Sequence, residues 1–257
     1  RVPLEDIYDG NSKSIRLKVF YPHIKTAKSL IDYLEMKRLD EAQRIDIALS
    51  IAGSMDSLQS VKIVHGRLSG NHILVKESSE DDKKLQVFIR DMGLALPLYL
   101  ADGDDAAAYH SLLRRDNAFY LPPEALLLLA GYNKPLDWLK IDVYAFGILL
   151  WMLLSYGKWG PQQPQDGELD NEPTTLHYLP QFYLDCQCDD GMLLHKFTEL
   201  IDADGGGGGF SAELMARNFQ PQYRDIISDE MWQLMLQCWD VNPENRPSFQ
   251  AIQSNLR

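Results

Sequence analysis

The chain has 257 residues and carries 25 Lys and Arg against 37 Asp and Glu, which gives a formal net charge of −12. With 45% hydrophobic and 24% charged residues, its composition is that of an ordinary globular protein able to bury one large core or two modest lobes. The negative balance argues against nucleic acid or an anionic lipid surface as the main partner, because both attract positively charged proteins.

The cysteines and the apolar segments indicate the compartment. Three cysteines, Cys186, Cys188 and Cys238, are too few for a disulfide scaffold and fit a reducing environment. The longest apolar run, at 146–154, is well short of the roughly 20 residues that cross a bilayer. We therefore expect a cytoplasmic protein, or the cytoplasmic portion of a larger one, without a membrane segment in this chain.

Periodicity near the start of the chain predicts a hairpin and two helices. Residues 15–20 alternate in the period of a strand and follow turn residues, so residues 2–20 are predicted to form a hairpin. Helical spacing predicts a short helix over 26–36 and a longer amphipathic helix over 41–59. The predicted buried positions are Leu30, Tyr33 and Leu34 in the first helix and Ile45, Ala48, Leu49, Ala52, Met55 and Leu58 in the second.

The middle of the chain predicts two strands and a loop. Residues 73–76 and 86–90 have the pattern of short strands, and the fully polar stretch between them predicts an exposed turn. Residues 91–121 have weak periodicity, which is typical of a long loop. The pair Pro122-Pro123 then opens a helical run, since proline favours the first position of a helix.

Three further helices are predicted in the second half of the chain. Residues 141–155 are apolar on nearly every side, which predicts a central, buried helix. Residues 229–239 and 247–256 have the spacing of two more helices.

An acidic stretch at about 161–209 separates these helices. Residues 161–204 hold ten acidic side chains against one basic, a net charge of −9, so the rest of the chain carries only −3. Five consecutive glycines at 205–209 are typical of a flexible tether. The stretch is predicted to be a solvated, flexible insert, with a docking segment for a basic partner as the alternative.

Five short motifs occur in a defined order. They are HGRLSGNHILV at 65–75, DMG at 91–93, PPE at 122–124, DVYAFG at 142–147 and NRPSF at 245–249. Together, with these helices and strands between them, they resemble the large lobe of a eukaryotic protein kinase, closest to the tyrosine kinases and the tyrosine-kinase-like group. The resemblance implies an α+β, mainly α, protein-kinase-like fold. It also implies that 1–22 is a remnant of the β-rich N-lobe with the hinge, and that 23–257 is a large helical C-lobe.

The loop that begins at His65 departs from the kinase pattern. In that family an Asp two residues after the His accepts the substrate proton, and an Asn seven residues after it holds a metal. Here those positions are Arg67 and His72, and Gly66 replaces the family's phosphate-pairing arginine. A guanidinium cannot accept a proton. The resemblance therefore implies a degenerate catalytic loop, unless a one-residue slip brings Asn71 to the metal position.

The resemblance also implies candidate cofactor sites. Asp91 matches the metal-binding Asp of the family, although an Asp there could instead cap a tight turn. Phe20, Tyr21 and His23 match the hinge that meets the nucleotide. The sequence contains no Gly-x-Gly-x-x-Gly phosphate loop. The family thus implies ATP and Mg²⁺, while the residues present argue against both.

Three matching residues are predicted to be structural. Glu124 and Arg246 resemble a buried ion pair between the end of the activation segment and the late helices. Asp142 resembles the helix residue that binds the backbone of the catalytic loop near His65.

Three functions are consistent with these residues. The first is a non-catalytic, kinase-like scaffold or allosteric regulator in signalling, whose partner would be a protein, either a kinase or a linked catalytic domain. The second is an active or weakly active protein kinase that transfers phosphoryl groups from ATP to protein Ser, Thr or Tyr. The third is a truncated gene fragment without a stable function.

Overall fold

The structure is a computed structural model that describes residues 24, 26–78, 84–92, 96–97, 120–129, 136–156, 227–240 and 242–257. The predicted hairpin at 2–20, the hinge residues Phe20, Tyr21 and His23, and the acidic insert at about 161–209 lie outside these residues.

The described residues are mainly helical. The helices are α1 (Leu30–Met36), α2 (Glu41–Ser60), α3 (Pro123–Leu129), α4 (Trp138–Tyr156), α5 (Asp229–Cys238) and α6 (Phe249–Asn255). The strands are β1 (Lys28–Ser29), β2 (Ile63–Val64), β3 (Ile73–Glu77), β4 (Leu85–Ile89) and β5 (Leu96–Pro97), and single 3₁₀ turns occur at Gly70–His72 and Pro243–Asn245. None of the helices among these residues has the length and apolar content needed to cross a bilayer.

The strands form two small antiparallel sheets. The first has the order β1-β3-β4, with Lys28 opposite Val75 and Ile73 opposite Ile89. The second joins β2 to β5. The two predicted strands are confirmed as β3 and β4 to within a residue at each end. The prediction of loop at 96–97 was wrong, because two residues are too few to show an alternating pattern.

Side-chain caps determine where the helices begin. The Ser29 hydroxyl accepts the Asp32 N–H at 3.1 Å, so α1 begins at residue 30 and not at 26. Asp40 and Gln43 form a capping box at the start of α2. The hydroxyls of Ser228 and Ser248 cap α5 and α6 by accepting the N–H groups of Met231 and Ala251. The predicted helices are otherwise confirmed, with α4 starting three residues earlier than expected.

The core surrounds α4, whose residues 141–154 are buried. It packs against α2 and α5, and α6 packs against α2. The predicted face of α2 was partly wrong: Ile47 and Ile51 are fully buried, whereas Ile45, Leu49 and Leu58 are only partly buried. The reason is that α2 contacts α4, α6 and β4 and therefore buries a broader surface than one stripe.

A buried arginine joins the end of α4 to the start of α2. Arg44 donates from Nη1 to the Leu154 carbonyl at 3.4 Å and from Nη2 to the Leu39 carbonyl at 2.5 Å. Burial lowers the pKa of the Arg44 guanidinium from its usual value. Sequence periodicity did not reveal this role, because an arginine in an amphipathic helix is ordinarily assigned to the solvent side.

Candidate functional site

The site is built on the loop from His65 to Ser69, which leads from β2 into the 3₁₀ turn and β3. Asp142 on α4 is fully buried and accepts the N–H of His65 at 2.9 Å and the N–H of Gly66 at 2.8 Å. Burial raises the pKa of Asp142 to about 7, against the effect of these two N–H groups, which lowers it. Gly66 has φ 71°, a left-handed conformation that glycine adopts without strain. Asp142 therefore positions the backbone of the loop.

His65 joins this loop to the end of β4. Its ring is fully buried, and Nε2 donates to the Arg90 carbonyl at 3.0 Å while Nδ1 accepts the Arg67 N–H at 3.2 Å. A carbonyl only accepts and an amide N–H only donates, so these partners fix the neutral tautomer with the proton on Nε2. Burial lowers the pKa of His65, in agreement with a neutral ring.

Arg67 points toward Asp91. Its Nη1 donates to Asp91 Oδ2 at 2.5 Å, and its side chain is 11% exposed. The guanidinium thus lies where the kinase resemblance expects a carboxylate that accepts the substrate proton. A group with donors only has no means of doing so at this position.

His72 approaches the same carboxylate from the 3₁₀ turn. Its Nδ1 lies 2.6 Å from the Arg67 carbonyl oxygen, and its Nε2 lies 3.3 Å from Asp91 Oδ2. Burial lowers the pKa of His72. Asn71 is exposed, and β3 begins directly after His72. The structure therefore places the side chain of His72 beside Asp91.

Asp91 follows β4 and has φ 67°, in the left-handed region that few residues other than glycine adopt. Its carboxylate contacts the side chains of Arg67 and His72. Magnesium prefers several oxygen ligands in an octahedron, whereas here a permanent cation occupies one carboxylate oxygen. Among the described residues, no group of three or more His, Cys, Asp or Glu side chains could hold a metal ion. The donor set does not fit Mg²⁺.

Glu124 and Arg246 join α3 to the turn before α6. Arg246 donates from Nη1 to Glu124 Oε1 at 2.6 Å and from Nη2 to Oε2 at 3.0 Å. It also donates to the Asp240 and Lys140 carbonyls, at 2.9 and 3.2 Å, and its guanidinium carbon lies 5.1 Å from the centre of the Tyr144 ring. This arrangement connects α3, α4 and the turn before α6.

A polar groove lies between the start of α1, β3 and the end of β4. It is open to solvent and its lining includes Lys28, Ser29, Asp32, Leu74 and Arg90. Arg90 also donates from Nε to the Asn71 carbonyl at 2.9 Å, which connects the groove to the catalytic loop.

Comparison with known proteins identifies relatives that are similar in sequence to this chain. The chain is 24% identical over 233 residues to inactive tyrosine-protein kinase 7 of Homo sapiens, which covers 91% of this chain and 16% of that protein. It is 28% identical over 227 residues to tyrosine-protein kinase Src64B of Drosophila melanogaster, covering 87% of this chain and 31% of the relative. It is 25% identical over 255 residues to cytoplasmic tyrosine-protein kinase BMX of Mus musculus, covering 98% and 30%.

The chain thus spans less than a third of each of these three relatives, one of which is named as inactive. A family model for protein tyrosine and serine/threonine kinases matches residues 13–179 and 210–256, which is most of the chain. The match agrees with the helical majority and small sheet of the described residues. The chain therefore belongs to the protein tyrosine and serine/threonine kinase family, as its motifs predicted.

Proposed function

We propose that this chain is a non-catalytic kinase domain that acts in signalling through contacts with another protein. The observation that carries the proposal is the contact between Arg67 and Asp91. By its resemblance to the kinase loop, Arg67 stands at the position of the proton acceptor, and its guanidinium contacts the carboxylate that would hold a metal.

The retained contacts support the same function. The Asp142 bonds to the loop backbone and the Glu124–Arg246 ion pair keep a kinase-like arrangement, although Arg67 and His72 replace the residues that do chemistry. A binding or regulatory domain needs a stable kinase fold but does not need the catalytic residues. Similarity to a relative named as inactive is consistent with this function.

The partner we propose is a protein kinase or a catalytic domain linked to this one. The net charge of −12 disfavours nucleic acid and anionic lipid, which leaves protein surfaces as the interaction class. A partner kinase regulated by this chain should change its rate of substrate phosphorylation when the purified chain is added.

The competing function is an active or weakly active protein kinase. Asp91 is retained, and two of the relatives above are named as tyrosine-protein kinases. Positioning and electrostatics dominate phosphoryl transfer, so the loss of one base does not by itself abolish the rate.

A phosphotransfer assay separates the two functions. The full chain is incubated with radiolabelled ATP, Mg²⁺ or Mn²⁺ and a protein substrate that offers Ser, Thr and Tyr. We expect no transfer above that of Asp91→Asn, which removes the remaining family metal ligand. Transfer that Asp91→Asn abolishes would establish an active kinase and overturn the proposal.

A further inference from the structure

The carboxylate of Asp91 lies beside a fixed cation. Asp91 has φ 67°, a left-handed conformation that Asp adopts more readily than most non-glycine residues. The backbone on its N-terminal side is fixed, since the Arg90 N–H donates to the His72 carbonyl at 2.9 Å. The carboxylate itself is negatively charged and about one third exposed. A cation held against this carboxylate by a charge-assisted hydrogen bond therefore stabilises the turn.

Arg67 supplies this positive charge from a fixed position. Its backbone N–H donates to His65 Nδ1 at 3.2 Å, and its carbonyl oxygen lies 2.6 Å from His72 Nδ1. Two histidine rings therefore hold the residue from both sides while its Nη1 contacts Asp91. Guanidinium is charged at any pH at which a protein folds. The positive charge beside Asp91 thus does not depend on a bound ion.

We propose that the Arg67 guanidinium replaces the divalent cation of kinase sites as the permanent counter-charge of Asp91. The chain then keeps its catalytic loop and the turn after β4 in place without metal, and this site excludes divalent cations. The inference deepens the proposed function and rests on it, because an Asp91 that needed a metal would belong to a working phosphotransfer site.

The first test measures metal binding by the full chain. Mn²⁺ is titrated against the protein, and its free fraction is followed by electron paramagnetic resonance. We expect the wild type to show no saturable site that depends on Asp91, and its melting temperature to be the same in Mn²⁺ and in EDTA. Saturable binding that Asp91→Asn removes would overturn the inference.

The second test introduces residues of the kinase pattern into the site. The double variant Arg67→Asp/His72→Asn restores the proton-accepting carboxylate and the metal-holding amide of the kinase pattern beside Asp91. In EDTA its facing carboxylates should repel each other and lower its melting temperature, and Mn²⁺ should restore several degrees and bind saturably. A folded double variant that ignores Mn²⁺ would argue against Arg67 as the replacement for the cation.

A milder pair of variants covers the case in which the double variant does not fold. Arg67→Gln is compared in the wild-type background and in an Asp91→Asn background. If Arg67 acts as counter-charge, the melting temperature falls clearly in the first background and much less in the second. Equal losses in both backgrounds would overturn the inference.

These outcomes separate the inference from the proposed function. Saturable Mn²⁺ binding at Asp91 without phosphoryl transfer would overturn the inference and leave the non-catalytic function intact. Transfer abolished by Asp91→Asn would overturn the non-catalytic function itself.

Discussion

The guanidinium of Arg246 forms a two-pronged ion pair with the Glu124 carboxylate, 122 residues earlier in the chain, with N–O distances of 2.6 and 3.0 Å. The Arg246 side chain is 0% exposed and also donates to two backbone carbonyls. Removing one partner of such a pair leaves the other charged and buried. We expect Arg246→Met to lower the free energy of unfolding by roughly 3–5 kcal/mol in urea unfolding of the full chain.

An exposed ion pair provides the matched control. Lys37 pairs with Glu77, and both side chains are well exposed, at 49% and 38%. Exposed pairs contribute only about 0–1 kcal/mol because water screens the charges. Lys37→Met should therefore change the stability little. Similar losses in the two variants would contradict the structural role assigned to Arg246.

Asp142 should be required for the shape of the loop that begins at His65. Asp142→Ala leaves the N–H groups of His65 and Gly66 buried without their acceptors, at a cost of about 1–3 kcal/mol for each. The measurement is urea unfolding combined with hydrogen exchange of these two amides, which should lose protection. Asp46→Ala, at an exposed position of α2, is the control and should stay within about 0.5 kcal/mol of wild type.

The long helices could be predicted from the sequence because their signals are continuous. Helix α4 is apolar on nearly every side, and α5 has a Ser at its start, so periodicity and capping chemistry agree. The strands β2 and β5 could not be predicted, because each has two residues and is defined by its partner.

The sequence predicted which residues form the site, but it did not predict how their side chains contact one another. Motif spacing identified Arg67 and His72 as replacements for kinase residues. It did not show that both contact one oxygen of Asp91, because this depends on the left-handed turn after β4 and on the anchoring of Arg67 by two histidines. Arg44 was missed for a similar reason: its buried partners are backbone carbonyls, which have no signature in sequence.

His65 should make stability depend on pH. Its folded pKa lies below the unfolded value of roughly 6.5, because burial disfavours the charged ring. Below that pH the unfolded chain binds a proton that the native chain does not, so this contribution is present above roughly pH 6.5 and is lost as the pH falls. The free energy of unfolding of wild type relative to His65→Gln should therefore decrease by up to about 1.4 kcal/mol per pH unit below that value.

The comparison with His65→Gln is needed because other groups titrate in the same range. Asp142, whose pKa burial raises to about 7, contributes with the opposite sign, since its native form takes up a proton first. Both chains contain Asp142, so its effect largely cancels in the difference. If the difference in free energy of unfolding between wild type and His65→Gln stays constant from pH 7 to about pH 5, folding does not lower the pKa of His65.

Replacing each of two helical glycines by alanine should change the free energy of unfolding in opposite directions. At Gly147 in α4, a Cβ would lie 2.7 Å from Trp239 Nε1 and 2.8 Å from Cys238 Cβ, both fixed in the core. Gly147→Ala should therefore lower the free energy of unfolding by about 1–3 kcal/mol through overpacking. At Gly53 in α2, the nearest atom to an added Cβ is Gln253 Oε1 at 3.6 Å, which is an ordinary contact. Gly53→Ala should therefore raise the free energy of unfolding by about 0.5–1 kcal/mol. Urea unfolding of both variants checks the pair, and a stabilising Gly147→Ala would contradict the close packing of α4 against the end of α5.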